Sequence, residues 1–160
     1  MKLSALYQIF LDCQSVTTDS RNCPDGSLFI ALKGESFNGN AFAKLALDSG
    51  CAFAIIDEAE YAVEGDKRYI LVDNCLQTMQ QLANYHRRQL GTRVIGITGT
   101  NGKTTTKELI SSVLCQAHNV LYTLGNLNNH IGVPTTLLRL KPEHDLAVIE
   151  MGANHPGEIK

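Results

Sequence analysis

The chain has 160 residues, 44% of them hydrophobic, and 14 lysines and arginines against 16 aspartates and glutamates give a formal charge of −2. This is the composition of a soluble globular protein, long enough for one domain or for a small domain plus part of another. The near-neutral balance offers no electrostatic case for nucleic acid or an anionic membrane, and no apolar run approaches the roughly 20 residues of a membrane helix. The N-terminal stretch MKLSALYQIFLDCQ is too short and too interrupted for a signal peptide and reads as an amphipathic helix. The five cysteines, Cys13, Cys23, Cys51, Cys75 and Cys115, form no CxxC pair and are odd in number. They read as reduced, mostly packed thiols of a cytosolic protein rather than as a disulfide framework or a zinc site.

Strand and helix patterns alternate along the chain. Residues 3–10 read as a short helix. SLFIAL, 27–32, reads as a buried strand after the turn Pro24-Asp25-Gly26. Residues 41–49 have helical spacing, with Phe42, Leu45 and Ala46 on one face and Gly50 as the stop. CAFAII, 51–56, and residues 69–72 read as further strands. Residues 75–90 form a long helix with Leu76, Met79, Leu82, Ala83 and His86 along one stripe, ended by Gly91. A new unit then opens: RVIGIT, 93–98, as a buried strand, a glycine-rich turn, a helix over 103–115, a strand over 119–123, a helix within 131–140, and the strand DLAVIE, 145–150, ending on a carboxylate. Strand–helix alternation of this kind builds a parallel sheet covered by helices.

The expected fold is therefore α/β. A small N-terminal substrate domain, residues 1–90, precedes the start of a phosphate-loop, parallel-sheet domain, residues 91–160. The last segment, MGANHPGEIK, reads as the opening of another helix. A sheet this narrow normally needs both faces covered, so the expectation is a truncated domain within a larger protein.

The strongest local signal is VIGITGTNGKTTTKELI, residues 94–110. Gly99 and Gly102 lie between a strand and a helix that opens at Lys103. Glycines there let backbone N–H groups converge on phosphate oxygens, and a helix N-terminus adds partial positive charge. In this reading Gly99, Thr100, Asn101, Gly102, Lys103, Thr104 and Thr105 hold the phosphates of ATP. Lys103 reaches the β- and γ-phosphates and Thr104 offers a hydroxyl to Mg²⁺. The strict GxxxxGK[ST] pattern needs glycine where Ile97 stands, which argues against an ordinary GTPase or kinase loop. The plain alternative is a glycine-rich turn without a ligand.

GITGTNGKTTT, residues 96–106, resembles the loop of the Mur ligases and of their folylpolyglutamate synthetase relatives. Three further segments resemble the Mur ligases in the expected order. They are TDSR with the strand and Gly-x-x-x-Asn-Gly turn that follow it (18–55), GNLNNHIGVPTTLLRL (125–140) and EMGANHPGEI (150–159). The last two are similar to the branch that adds D-alanyl-D-alanine to UDP-N-acetylmuramoyl-tripeptide. The resemblance covers nearly the whole chain.

It implies an ATP- and Mg²⁺-dependent peptide ligase of cell-wall precursor synthesis in the cytoplasm, working through an acyl phosphate. The full-length enzyme is expected to be monomeric with three domains, and the 160 residues alone inactive. It implies that Lys103 and Glu150 are catalytic, that Thr104 and Glu150 hold the metal, and that Asp19, Ser20, Arg21, Asn38, Gly39 and Asn126 face the substrate. Asn38 stands where the family more often has Asp. Asn128, Asn129 and His130 take no defined role, and His155 reads as an exposed loop residue. Against these stand plainer alternatives: a turn and salt bridge at Asp19–Arg21, a solvated Glu150, and asparagines that only build turns. Three rival functions remain: a ligase of the amino-acid-adding Mur branch, a generic phosphate-loop NTPase, and a UDP-sugar-binding module with a vestigial ATP site.

Overall fold

The computed structural model describes residues 2–152. The chain divides into two compact units, residues 1–82 and 83–160. The helix Cys75–Leu90 begins in the first and ends in the second, so the division falls within that helix rather than at its Gly91 end.

In the first unit, strands β1 (Val16–Thr17), β2 (Leu28–Ile30), β3 (Phe53–Ile56) and β4 (Tyr69–Leu71) form one parallel sheet in chain order. β2 is buried on both faces, and Ala54, Ile55 and Ile56 of β3 are fully buried. That is why these strands read as continuous apolar runs rather than alternating ones. β1 escapes sequence reading because its two residues are half-buried and carry no periodicity. Helix α1 (Leu3–Asp12) buries Leu6, Tyr7 and Phe10, the last two with their rings 5.9 Å apart. A 3-10 turn (Gly39–Phe42) leads into α2 (Ala43–Asp48). α2 buries Ala43, Ala46 and Leu47, while Phe42 and Leu45 are exposed. The inward face is thus not the predicted Phe42–Leu45–Ala46 set. The small alanines let the helix approach the sheet closely beside Leu47, and Phe42 and Leu45 lie outside it. In α3 (Cys75–Leu90) the buried stripe is Cys75, Met79, Leu82, Ala83 and His86, with Leu76 only half-buried.

The second unit has a three-stranded parallel sheet with β7 (Leu146–Glu150) between β5 (Arg93–Ile97) and β6 (Val120–Tyr122). β7 is buried along its whole length and sorts its residues by parity. Leu146 and Val148 pack with Ile97, Val120, Ile110 and Leu114 beneath α4 (Lys103–Leu114). Ala147 and Ile149 pack on the other face with Val133 and Leu137 of α5 (Gly132–Leu137). Glu150, next in the even series, therefore points to the α4 side. β5 is exposed from Arg93 to Gly96, with only Ile97 buried. This corrects its reading as a buried strand: it is an edge strand with only β7 beside it in the described sheet. The segment after Gly152, read as a helix opening and carrying His155, lies outside the described residues.

Candidate functional site

In the second unit β5 ends at Ile97 and α4 starts at Lys103, and the intervening loop carries the glycines. Gly99 (φ +139°) and Gly102 (φ +78°) are both in conformations that side-chain-bearing residues rarely adopt. Gly102 is the N-cap of α4 and supplies no side-chain bond to it. The first backbone bond closing the helix runs from the Thr106 N–H to the Gly102 carbonyl at 2.9 Å. The N–H groups of Lys103, Thr104 and Thr105 thus precede the intrahelical ladder and form, with the helix dipole, a cradle for an anion. Lys103 folds back over the loop, its Nζ donating to the Gly99 carbonyl at 2.7 Å and close to that of Thr100 at 3.4 Å. Thr100, Asn101 and Thr105 are exposed around it.

Glu150 ends the central strand beside the first turn of α4 and is 1% exposed. Its Oε1 accepts from the Thr104 hydroxyl at 3.1 Å and from the Asn128 amide at 2.8 Å. Its backbone N–H donates to the Thr123 hydroxyl at 2.9 Å. Its Oε2 has no hydrogen-bond partner among the described residues; the Lys107 ammonium lies 3.9 Å away. Lys107, wholly buried, also donates to the Gly125 carbonyl at 3.2 Å and meets Glu108 at 2.8 Å.

A buried carboxylate with one unsatisfied oxygen, beside a threonine hydroxyl and an anion cradle, fits a hard divalent cation such as Mg²⁺. No group of three His, Cys, Asp or Glu side chains converges among the described residues. The protein's share of such a shell would be Glu150 and Thr104, with phosphate oxygens and water supplying the rest.

The predicted residues Gly99–Thr105 and Glu150 thus come together. Asn126 is exposed in the following loop, where its carbonyl accepts the Asn128 N–H at 2.7 Å. Asn129 is spent on structure: its Oδ1 accepts from the Ile131 and Gly132 N–H groups, opening α5. His130 is exposed. Sequence reading missed Lys107 and assigned no role to Asn128. The available signal for Lys107 was its position one helical turn beyond Lys103 and Thr104, hence on their face. A lysine on a helix ordinarily reads as solvated.

The first unit's candidates fall into two groups. Asp19 and Arg21 pair with each other: Nε meets Oδ1 at 2.9 Å, an Nη meets Oδ2 at 2.8 Å, and the Arg21 backbone N–H bonds Oδ1 at 3.0 Å. Arg21 holds the Asp19 carboxyl down to about 2 through these bonds. Arg21's side chain is 87% exposed. Ser20 lies between them, its carbonyl 3.4 Å from the Cys23 thiol. The turn and ion pair named as the plain alternative are therefore present.

Asn38 and Gly39 belong to a tighter network. Asn38 donates to Glu58 at 2.6 Å and accepts from the backbone and amide of Asn40. Buried Asn40 exchanges two bonds with Asp57, which also accepts the Cys75 N–H at the start of α3. Lys33 bridges Asp57 and Glu58, and both partners raise its pKa. Burial pushes Asp57 up, but the bonds from Cys75, Lys33 and Asn40 outweigh it and leave the carboxyl lowered. Gly39 is glycine by necessity, since a Cβ there would strike the Leu32 carbonyl and backbone N.

The family description "Mur ligase family, catalytic domain" matches residues 12–87, and "Mur ligase middle domain" matches residues 97–160. The chain is 46% identical over 145 residues to an Escherichia coli UDP-N-acetylmuramoyl-tripeptide–D-alanyl-D-alanine ligase, covering 91% of this chain and 31% of that protein. It is 46% identical over 144 residues to the Bacillus subtilis protein of the same name, covering 90% of this chain and 32% of that one. Among solved structures, MurF from Acinetobacter baumannii superposes with a TM-score of 0.85 at 37% identity, over 98% of this chain and 37% of that one. MurF from Thermotoga maritima in complex with ADP gives 0.82 at 31% identity, over 94% and 34%. The chain spans about a third of the length of the curated relatives it matches. With both family descriptions falling on consecutive parts of the chain and the loop and carboxylate converging in space, the chain belongs to the Mur ligase family.

Proposed function

We propose that this chain is the UDP-substrate-binding and ATP-phosphate-binding portion of a ligase that joins D-alanyl-D-alanine to UDP-N-acetylmuramoyl-tripeptide in the cytoplasm. The observation that carries the reading is 46% identity, over nine-tenths of the chain, to two ligases of that name.

In the proposed reaction the tripeptide carboxylate attacks the γ-phosphorus of ATP, giving an acyl phosphate and ADP. The D-alanyl-D-alanine amine then attacks the acyl carbon, loses a proton, and expels inorganic phosphate. Little covalent work falls to the protein; orientation and charge neutralisation dominate. Lys103 and the N–H groups of residues 103–105 neutralise the phosphates. Glu150 and Thr104 would hold Mg²⁺, which polarises the phosphoryl group when bound. Asn38, Gly39 and the Asp19–Arg21 turn would position the UDP end of the substrate, with Arg21 suited to a diphosphate. Asn126 is exposed on the loop beside the cradle, within the polar rim where substrate would pass.

The test is phosphate release by a longer protein carrying this chain, supplied with ATP, Mg²⁺ and UDP-N-acetylmuramoyl-tripeptide. Release that depends on D-alanyl-D-alanine supports the reading. Release driven by a free amino acid instead would assign the other branch. Lys103→Ala should weaken ATP binding roughly 10- to 100-fold, the worth of charge-assisted hydrogen bonds; unchanged binding would refute the loop. The 160 residues alone should bind nucleotide weakly and turn nothing over, and measurable ligation by them would overturn that expectation.

A further inference from the structure

Lys107 has no part in the chemistry just described, yet its side chain is as fully enclosed as that of Glu150. Burying an ammonium is costly unless it is paired. Its partners are the Glu108 carboxylate at 2.8 Å, the Gly125 carbonyl at 3.2 Å and Glu150 Oε2 at 3.9 Å. The other donors to the Glu150 carboxylate, Thr104 and Asn128, are neutral and both use Oε1. Lys107 therefore supplies the positive charge that compensates Glu150, and supplies it at the one oxygen left for a cation. Two cations on one buried carboxylate repel strongly where water is excluded. The anion cradle of the phosphate loop adjoins this carboxylate through Thr104, so arriving phosphates bring the negative charge that lets a divalent cation settle beside the lysine.

We propose that Lys107 is a resident counter-ion that keeps divalent cations off Glu150 until nucleotide phosphates are present. The inference rests on the reading of Glu150 as a metal ligand. It makes metal entry conditional on nucleotide, and it makes Lys107 a positioning residue that tethers the Gly125 loop to α4 throughout.

The experiment titrates the chain with Mn²⁺ in equilibrium dialysis, taking the excess of Mn²⁺ on the protein side as bound ion, without ATP and with saturating ATP present at both sides of the membrane. Without ATP, Lys107→Met should bind Mn²⁺ at least about tenfold more tightly than the unaltered chain, because the repelling charge is gone. Lys107→Arg, which keeps the charge, should not gain. With ATP the unaltered chain and both variants should agree within about threefold, since the added phosphate charge outweighs one lysine. A folded Lys107→Met that gains nothing without ATP overturns the proposal, as does an equal gain with and without ATP. Should Lys107→Met fail to fold, Glu108→Gln serves instead. Glu108 is 57% exposed, and its loss frees the ammonium for Glu150, so Mn²⁺ binding should weaken; unchanged or tighter binding overturns the proposal. Glu150→Gln isolates the parent reading: if it binds Mn²⁺ with ATP as the unaltered chain does, Glu150 is no metal ligand and the site assignment itself fails.

Discussion

The two units carry their candidate residues in opposite ways. In the second, Thr104 and Glu150 are 46 positions apart and meet through a part-buried hydrogen bond onto a buried carboxylate, and buried Lys107 ties in a further loop. In the first, Arg21 pairs with a residue two positions away and is 87% exposed. Both are short polar motifs in the sequence. The Asp19–Arg21 pair is local and exposed, whereas the Thr104–Glu150 contact joins a helix start to the end of a buried strand. An exposed local pair can swing open to meet a diphosphate; a buried long-range one cannot move without unmaking the sheet that holds it.

The sharpest break between the two is Glu150→Ala against Asp19→Ala. Removing Glu150 leaves the Thr104 hydroxyl and the Asn128 amide without their acceptor and takes one of two carboxylates from the buried Lys107 ammonium, which keeps Glu108; it should cost the second unit about 2–4 kcal/mol. Asp19→Ala should leave the urea midpoint where it was. Equal midpoints for the two variants would erase the contrast. Next in size is Asn40, which shows that the first unit has a buried node of its own, away from Arg21. Asn40→Ala leaves the Asp57 N–H without its acceptor and should cost about 1–3 kcal/mol; a neutral result in chemical unfolding would demote that network to decoration. Arg21→Ala then sharpens the picture from the other side. It should lower affinity for the UDP-linked substrate roughly tenfold, the scale of a lost charge-assisted contact, with no change in melting temperature. A loss of stability instead would mean that Arg21 is structural.

The smallest expected effect is on pH dependence. Burial holds His86 below its ordinary value of 6.5, against the opposing pull of the Leu140 carbonyl at 2.9 Å. The folded imidazole thus takes up its proton at lower pH than the unfolded one. Stability from this source is intact at neutral pH and falls as pH drops below about 6.5, by at most about 1.4 kcal/mol per pH unit. His86→Gln should flatten that slope between pH 7 and 5 in urea unfolding; an unaltered slope would assign the pH dependence to other groups.

Much of this was legible in the residues themselves. Every strand but β1 announced itself as an apolar run, and α3 was bounded by its own stripe and by Gly91. The phosphate loop showed because its glycines, lysine and threonine are contiguous, and Glu150 because it closes a strand. What could not be read was pairing across distance. Nothing local marks Lys107 as buried rather than solvated, or Asn128 rather than Asn126 as the amide that reaches Glu150. The solvent exposure of β5 follows from its edge position, and strand order is likewise a property of the whole sheet. The faces of α2 were misjudged because alanine, chosen for close approach, carries a weaker hydrophobic signal than the phenylalanine and leucine lying outside.

The strand order β5-β7-β6 also sets a timetable. β5 and β6 have no ladder between them in this sheet and are joined only through β7, which the ribosome makes last of the three. At synthesis rates of roughly 5–20 residues per second, the 46 positions from Thr104 to Glu150 take about 2–9 seconds to emerge. Through that interval the phosphate loop exists as chain without a sheet to hold it, and the apolar edges of β5 and β6 wait unpaired for the nascent strand that joins them. The carboxylate that meets the phosphate loop is the last residue of that strand, so loop and carboxylate are brought together by the same event that joins β5 to β6.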